Sequence, residues 1–197
     1  PCAETKLAIL KQSIEQLISA GYVYIGMDHF AKPDDELSVA QQQGKLYRNF
    51  QGYATHADCD LVGMGITAIG TINNSFAQNV KTLDEYQSHI SAGNLAVYRG
   101  VKIDDDDRLR RAVIMQLICH FNLNFSQIES KYNINFNTYF ADEIKQLMLM
   151  CDDELIKMNN QSIDVLAKGR LLIRNVCMVF DRHLRNTQNN TRFSKAI

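Results

Sequence analysis

The sequence predicts an α/β plus α fold. The terminal portion of a partial (β/α) TIM-like barrel occupies residues 1–100, and a mostly helical, winged-helix-like domain occupies residues 101–197. Two observations carry this reading. Helical and extended signals alternate through the first hundred residues, the rhythm of β/α units. The rest reads as three helices and a β-hairpin before a closing helix, the order of a winged helix. A third observation sets a limit: residues 1–100 hold too few strands to close a barrel, so they are at most its end.

Each element has its own warrant. "AETKLAILKQSIEQLISAG" places Leu7, Leu10, Ile14, Leu17 and Ile18 on one helical stripe that ends at Gly21. "YVYIG" is aromatic, β-branched and bounded by glycine, a buried strand. "KPDDELSVAQQQG" has Pro33 and acids at a helix start and Gly44 at its end. "DLVGMGITAIG" reads as extended and "TLDEYQSHISAG" as helix. In the second half, "DDDDRLRRAVIMQLICHF" opens with four acids suited to a helix N-terminus, and Leu109, Val113, Leu117 and Phe121 repeat every fourth position. "FSQIESKYN" is a short helix with Ser126 as N-cap and Glu129 completing a capping box. "FNTYFADEIKQLMLMCD" is a third helix. "ELIKMNNQSIDVLAKG" is two extended runs around "NNQ", and "GRLLIRNVCMVFDRHLR" closes the domain as a helix.

Composition narrows the function. Apolar residues are 46% of the chain, enough for a core, and the formal net charge is −1. No apolar run is long enough to cross a membrane as a helix, and "PCAETKLAILKQ" has no signal-peptide pattern. Five cysteines, Cys2, Cys59, Cys119, Cys151 and Cys177, stand 26 to 60 residues apart, which reads as reduced thiols in a cytoplasmic protein. His29, His56, His89, His120 and His183 show no metal-ligand spacing, so no metal site is expected within the chain.

The winged-helix order raises nucleic-acid binding, and charge argues against it. Residues 104–168 hold 11 acids and 7 bases, a net of −4. The third helix would carry Asp142, Glu143, Asp152 and Asp153 towards a duplex that needs clustered Lys and Arg. The tail is opposite in sign: Arg170, Arg174, Arg182, Arg185, Arg192 and Lys195 stand against Asp181 alone. Either it compensates the acidic segment or it forms a basic lip for a polycarboxylate ligand.

The glycines of "LVGMGITAIG" pose the sharpest local question. Gly63, Gly65 and Ala68 follow G-x-G-x-x-A, but a dinucleotide-binding turn needs a helix after it, and "ITAIG" reads as strand. Two readings remain: a glycine-bearing bent strand, or bare backbone against a ligand.

"GYVYIGMDHFAKPDDELSVAQ", "LYRNFQGYATHADCDLVGMGITAIG" and "KGRLLIRNVCMVFD" resemble the C-terminal half of the bacterial oxygen-independent coproporphyrinogen III oxidase family, also called coproporphyrinogen III dehydrogenase. The resemblance runs over about residues 3–197 and includes "NNSFAQNVKTLDEYQSHI". It implies a radical S-adenosylmethionine enzyme with a partial barrel and a helical C-terminal domain. A [4Fe–4S] cluster reductively cleaves S-adenosylmethionine, and the deoxyadenosyl radical abstracts hydrogen from two propionates of coproporphyrinogen III. Loss of CO2 leaves the vinyl groups of protoporphyrinogen IX. Two S-adenosylmethionine molecules are implied per full-length enzyme.

The family's cluster motif, C-x3-C-x2-C, is absent here. The resemblance therefore implies a fragment, lacking the N-terminal barrel half and inactive alone. It maps three cofactor-binding residues onto this chain: Ile69 in "GMGITAI", and Phe50 and Gln51 in "NFQGY", the latter two at the second S-adenosylmethionine position. Catalytic residues are not assigned. Asp28 and His29, just after a strand, are either functional or a structural hydrogen-bonded pair. The alternatives are a winged-helix protein-interaction module and a tetrapyrrole- or haem-binding relative. Such relatives carry an "HN-x-x-Y-W"-like segment where this chain has "RNFQGY".

Overall fold

The computed structural model describes residues 2–57 and 59–185. Helix α1 (Ala3–Ser19) ends where Gly21 takes a φ of +82°. Strands β1 (Val23–Gly26) and β2 (His29–Ala31) pair antiparallel. Helix α2 (Glu36–Gln42) begins in the acidic run as expected, with the Asp35 carboxylate accepting from the Leu37 amide at 2.9 Å. Strands β3 (Tyr47–Asn49) and β4 (Gly52–Ala54) form a hairpin turning on Phe50 and Gln51. Strands β5 (Ile69–Ile72), β6 (Ser75–Asn79) and β7 (Val97–Lys102) form one antiparallel sheet, with helix α3 (Leu83–Ser91) between the last two.

The expected β/α rhythm does not produce a parallel sheet among the described residues: every ladder is antiparallel. The connections explain it. The β1–β2, β3–β4 and β5–β6 links are two residues each, and so short a link can only return the chain antiparallel. "DLVGMGITAIG" also differs from its reading, because the strand starts only at Ile69. Before it, Gly65 at φ +93° and Thr67 at φ +59° bend the backbone out of the extended region. The loop folds back so that Leu61 and Thr71 exchange both backbone hydrogen bonds, at 2.8 and 2.7 Å.

The second half follows the expected order with three changes. Helix α4 (Asp105–His120) opens on a capping box between Asp104 and Asp107. After strand β8 (Asn122–Asn124), helix α5 (Phe125–Tyr132) is capped by Asn124, not Ser126, and Glu129 accepts from the Phe136 amide at 2.8 Å instead of closing a capping box. The predicted third helix is divided into α6 (Phe136–Tyr139) and α7 (Ala141–Asp152). The break is at Phe140, a fully buried ring packed on Phe136 and Phe180. Strands β9 (Ile156–Met158) and β10 (Ser162–Val165) form the expected hairpin, and β8 adds to it in the order β8-β10-β9. The Asn159 carboxamide oxygen closes its turn, accepting from the amides of Gln161 and Ser162. The closing helix is three short ones, α8 (Ala167–Leu171), α9 (Ile173–Met178) and α10 (Arg182–Arg185).

Helix α4 is the spine. Leu109, Val113 and Leu117 are buried as their spacing predicts, in one apolar cluster running from Ile25 and Ala40 to Ile163, Val176 and Phe180. Directed bonds fix the first half to it. The Gln41 carboxamide donates to the carbonyls of Ile25 and Cys119, at 2.7 and 3.1 Å. The Tyr53 hydroxyl donates to the Ile118 carbonyl at 3.0 Å. No described helix is long and apolar enough to cross a membrane.

Candidate functional site

A cleft of about 580 Å³ lies between helix α4, the β3–β4 turn and one face of the β5-β6-β7 sheet. Strand register builds that face. Thr71 pairs with Phe76, and Phe76 with Val101. Directly opposed residues share a face, so all three point the same way, and all three line the cleft. Helix α4 closes the other side with Arg111, Ile114, Met115 and Ile118.

Phe50 stands at the mouth, 54% exposed, with its ring edge-on to Phe76 at 5.3 Å. Gln51 is beside it in the turn, exposed, with its amide bound to the Asn49 side chain at 2.8 Å. Ile69 pairs with Gln78, two residues from the Thr71–Phe76 pair. It is therefore on the cleft face of the sheet, beyond the residues that line the cleft. The structure thus brings Phe50 to the cleft, Ile69 to an extension of its wall and Gln51 to its outer edge.

Asp28 and His29 form the hydrogen-bonded pair, Oδ1 to Nδ1 at 2.8 Å, and His29 packs edge-on to Tyr53 at 5.1 Å. Neither lines the cleft.

Gly63 is explained by packing. A Cβ there would sit 2.9 Å from the Ile69 carbonyl carbon and 3.0 Å from the Gly70 nitrogen. A Cβ on Gly65 would meet nothing within 4 Å, and that residue is set by its positive φ. The Asn79 carboxamide donates to the carbonyls of both, at 3.1 and 2.9 Å.

The polar end of the cleft was not foreseen. Arg111 lies 5.0 Å from the Phe76 ring and 5.8 Å from the Tyr47 ring, and it donates to the Tyr47 hydroxyl. Arg48 lies 4.8 Å from the Tyr53 ring. Its Nη1 is buried with no hydrogen-bond partner, as is the Thr71 Oγ1. The run "DRLRRAV", which puts arginine on successive faces of α4, signalled Arg111 in sequence.

Beside the cleft the charges are saturated. Arg182 contacts the carboxylates of Asp104, Asp106 and Asp107 at 2.7, 2.6 and 3.0 Å. Arg110 binds Asp106 at 2.9 Å and the buried Glu143 at 2.7 Å. Burial works to raise the Asp106 carboxyl, but hydrogen bonds from Tyr139 and Arg110 outweigh it and hold it below the usual range. Arg182 is thus charge compensation for the acidic segment, and Arg170 lies over the Phe121 ring at 4.8 Å. Arg192, Lys195 and the Arg185 side chain fall outside the described residues.

The cysteines do not converge. Cys2 and Cys59 are exposed, while burial pushes the Cys119 thiol up to about 12 and raises Cys177 as well. Among the described residues no three His, Cys, Asp or Glu side chains could hold a metal ion. This set does not fit an iron–sulfur cluster, which needs convergent thiolates.

Known proteins resemble the chain in sequence and in fold. Residues 103–172 match the HemN C-terminal domain. Over its whole length the chain is homologous to proteins named oxygen-independent coproporphyrinogen III oxidase, and it matches their C-terminal part. It is 50% identical over 197 residues to that of Pseudomonas aeruginosa and 47% to that of Escherichia coli strain K12, covering all of this chain and 43% of each relative. A solved structure, coproporphyrinogen III oxidase (HemN) from Escherichia coli, described as a radical SAM enzyme, superposes with a TM-score of 0.87 at 48% identity. That match covers 93% of this chain and 42% of the other. The chain thus spans less than half the length of these relatives.

Proposed function

We propose that this chain serves as the C-terminal part of an oxygen-independent coproporphyrinogen III oxidase, converting two propionates of coproporphyrinogen III to the vinyls of protoporphyrinogen IX. The observation that carries the reading is the match over 93% of the chain to the structure of a radical SAM enzyme at 48% identity. On this reading residues 1–100 belong to the end of the barrel domain, where their antiparallel hairpins follow parallel strands supplied by an N-terminal part. Residues 101–197 form the winged-helix-like domain, supported by the β8-β10-β9 order around α4, α5 and α7. The enzyme is cytoplasmic and alone this chain is inactive.

S-adenosylmethionine, two molecules per full-length enzyme, supplies the hydrogen-abstracting chemistry, with a [4Fe–4S] cluster held by residues outside this chain. The residues present fit S-adenosylmethionine. Phe50 offers a half-exposed ring at the mouth of the cleft, Ile69 extends an apolar wall, and Gln51 is exposed in the turn with a carboxamide suited to polar groups. The test is anaerobic turnover by a hybrid in which this chain replaces the C-terminal part of the Pseudomonas aeruginosa relative.

A further inference from the structure

Helix α4 carries two neighbouring arginines that meet opposite fates. Arg110 uses its donors on Asp106, Glu143 and the Phe180 carbonyl. Arg111 is half-buried between the rings of Phe76 and Tyr47, and one hydroxyl is its hydrogen-bond acceptor. No carboxylate among the described residues lies within ion-pair distance of it. Two carboxylates line the same cleft, and both are engaged. Asp107 holds Arg182 and His183, and Asp181 accepts from the amides of His183 and Leu184.

Arg111 also stands in the wall shared by three cavities, of about 580, 420 and 210 Å³. The 420 Å³ cavity adds Lys45, Arg108 and Lys131 and has no carboxylate in its lining. Across the 580 Å³ cleft, Arg48 keeps a buried Nη1 without a partner.

A partly desolvated guanidinium is costly unless a charge or hydrogen bonds answer it. Aromatic stacking offsets part of that cost and fixes the plane of the fork. A planar fork with free N–H groups, held rigid beside an apolar cleft, matches a carboxylate on a largely apolar ligand. We infer that Arg111, seconded by Arg48, is a carboxylate-recognising site of this cleft. The inference rests on the proposed function for its two candidate carriers, a tetrapyrrole propionate and the amino-acid end of S-adenosylmethionine. Both present the same chemistry to the fork.

The experiment titrates the 197-residue chain with four probes: coproporphyrin III, its tetramethyl ester, S-adenosylmethionine and its decarboxylated form. Each is repeated with Arg111→Gln, Arg111→Lys and Arg48→Gln, with urea midpoints confirming that each variant folds. A propionate is the ligand if Arg111→Gln weakens coproporphyrin III by at least about tenfold, equivalent to roughly 1.4 kcal/mol, and leaves the ester unchanged. The amino-acid carboxylate is the ligand if the same loss appears with S-adenosylmethionine and not with its decarboxylated form. Arg111→Lys should recover only part of either loss, because it keeps the charge and not the fork. Equal loss for acid and ester, no loss for any probe, or no binding by the unaltered chain would overturn the inference. A hybrid enzyme that turns over equally well with Arg111→Gln would overturn it too, while leaving the proposed function intact. A hybrid with no turnover counts against the function itself.

Discussion

Gly63 and Gly70 pack backbone to backbone: a Cβ on Gly63 would lie 3.0 Å from the Gly70 nitrogen, and one on Gly70 would lie 3.1 Å from the Gly63 nitrogen. This contact closes the loop that delivers Ile69 to the sheet. Gly63→Ala should therefore force backbone movement and destabilise the chain by about 1–3 kcal/mol, the usual cost of overpacking. Gly65→Ala, facing open space at φ +93°, should cost only about 1 kcal/mol of conformational strain. Urea midpoints check both, and an unshifted Gly63→Ala would show the contact to be loose.

The Arg110–Glu143 pair makes a second prediction. Glu143 is 2% exposed, with Arg110 at 2.7 Å. Arg110→Met should remove a close, charged hydrogen-bond donor from a buried carboxylate and cost about 1.5–3 kcal/mol, the usual worth of a hydrogen bond to a charged group. The double variant Arg110→Met/Glu143→Leu should recover part of that loss, since replacing both partners removes the buried charge as well as its donor. A double variant no more stable than the single one would place the cost in packing instead.

Stability should fall in acid in two stages. Burial pushes the His120 imidazole below its ordinary value, so the unfolded chain takes the proton first. Its contribution is full above about pH 6.5 and is lost as pH falls towards the depressed folded value. Asp106 is held low, so its contribution is present above the ordinary carboxylate range and is lost below it. Between about pH 7 and about pH 5.5, His120→Gln should flatten the decline of the urea midpoint. An identical slope in the variant would remove His120 as its source.

Much of this was legible in sequence because it is local. The helices α1, α3 and α4 follow from apolar spacing and acidic starts, and the β9–β10 hairpin from its Asn-rich turn. What was not legible depends on distant partners. Phe140 breaks a helix because Phe136 and Phe180 enclose its ring. Glu129 abandons a capping box because the Phe136 amide is in reach. The glycines of the loop before β5 left two readings open in sequence, a bent strand or room for a ligand, and Gly63 answers to the backbone of Gly70, seven residues on. At the candidate site, the resemblance picked out Phe50, which the fold brings to the cleft. It did not pick out Arg111, whose isolation from carboxylates exists only in three dimensions.

The cleft wall makes a prediction of its own. In the hybrid enzyme, Ile69→Asp should weaken S-adenosylmethionine binding by more than about tenfold, roughly 1.4 kcal/mol, because a carboxylate would replace apolar surface and need desolvation. Cluster content should be unchanged. Ile69→Val removes a single methylene and should do little. Intact affinity in Ile69→Asp would make the strand scaffold only.

The central claim is that this chain does the work of the matching part of its relatives. The direct measurement replaces the C-terminal part of the Pseudomonas aeruginosa protein with these 197 residues and follows coproporphyrinogen III anaerobically with S-adenosylmethionine and a reductant. The account predicts protoporphyrinogen IX at a rate within about tenfold of the parent, a barrier difference under roughly 1.4 kcal/mol. A folded, cluster-loaded hybrid that cleaves S-adenosylmethionine yet leaves both propionates intact would contradict it.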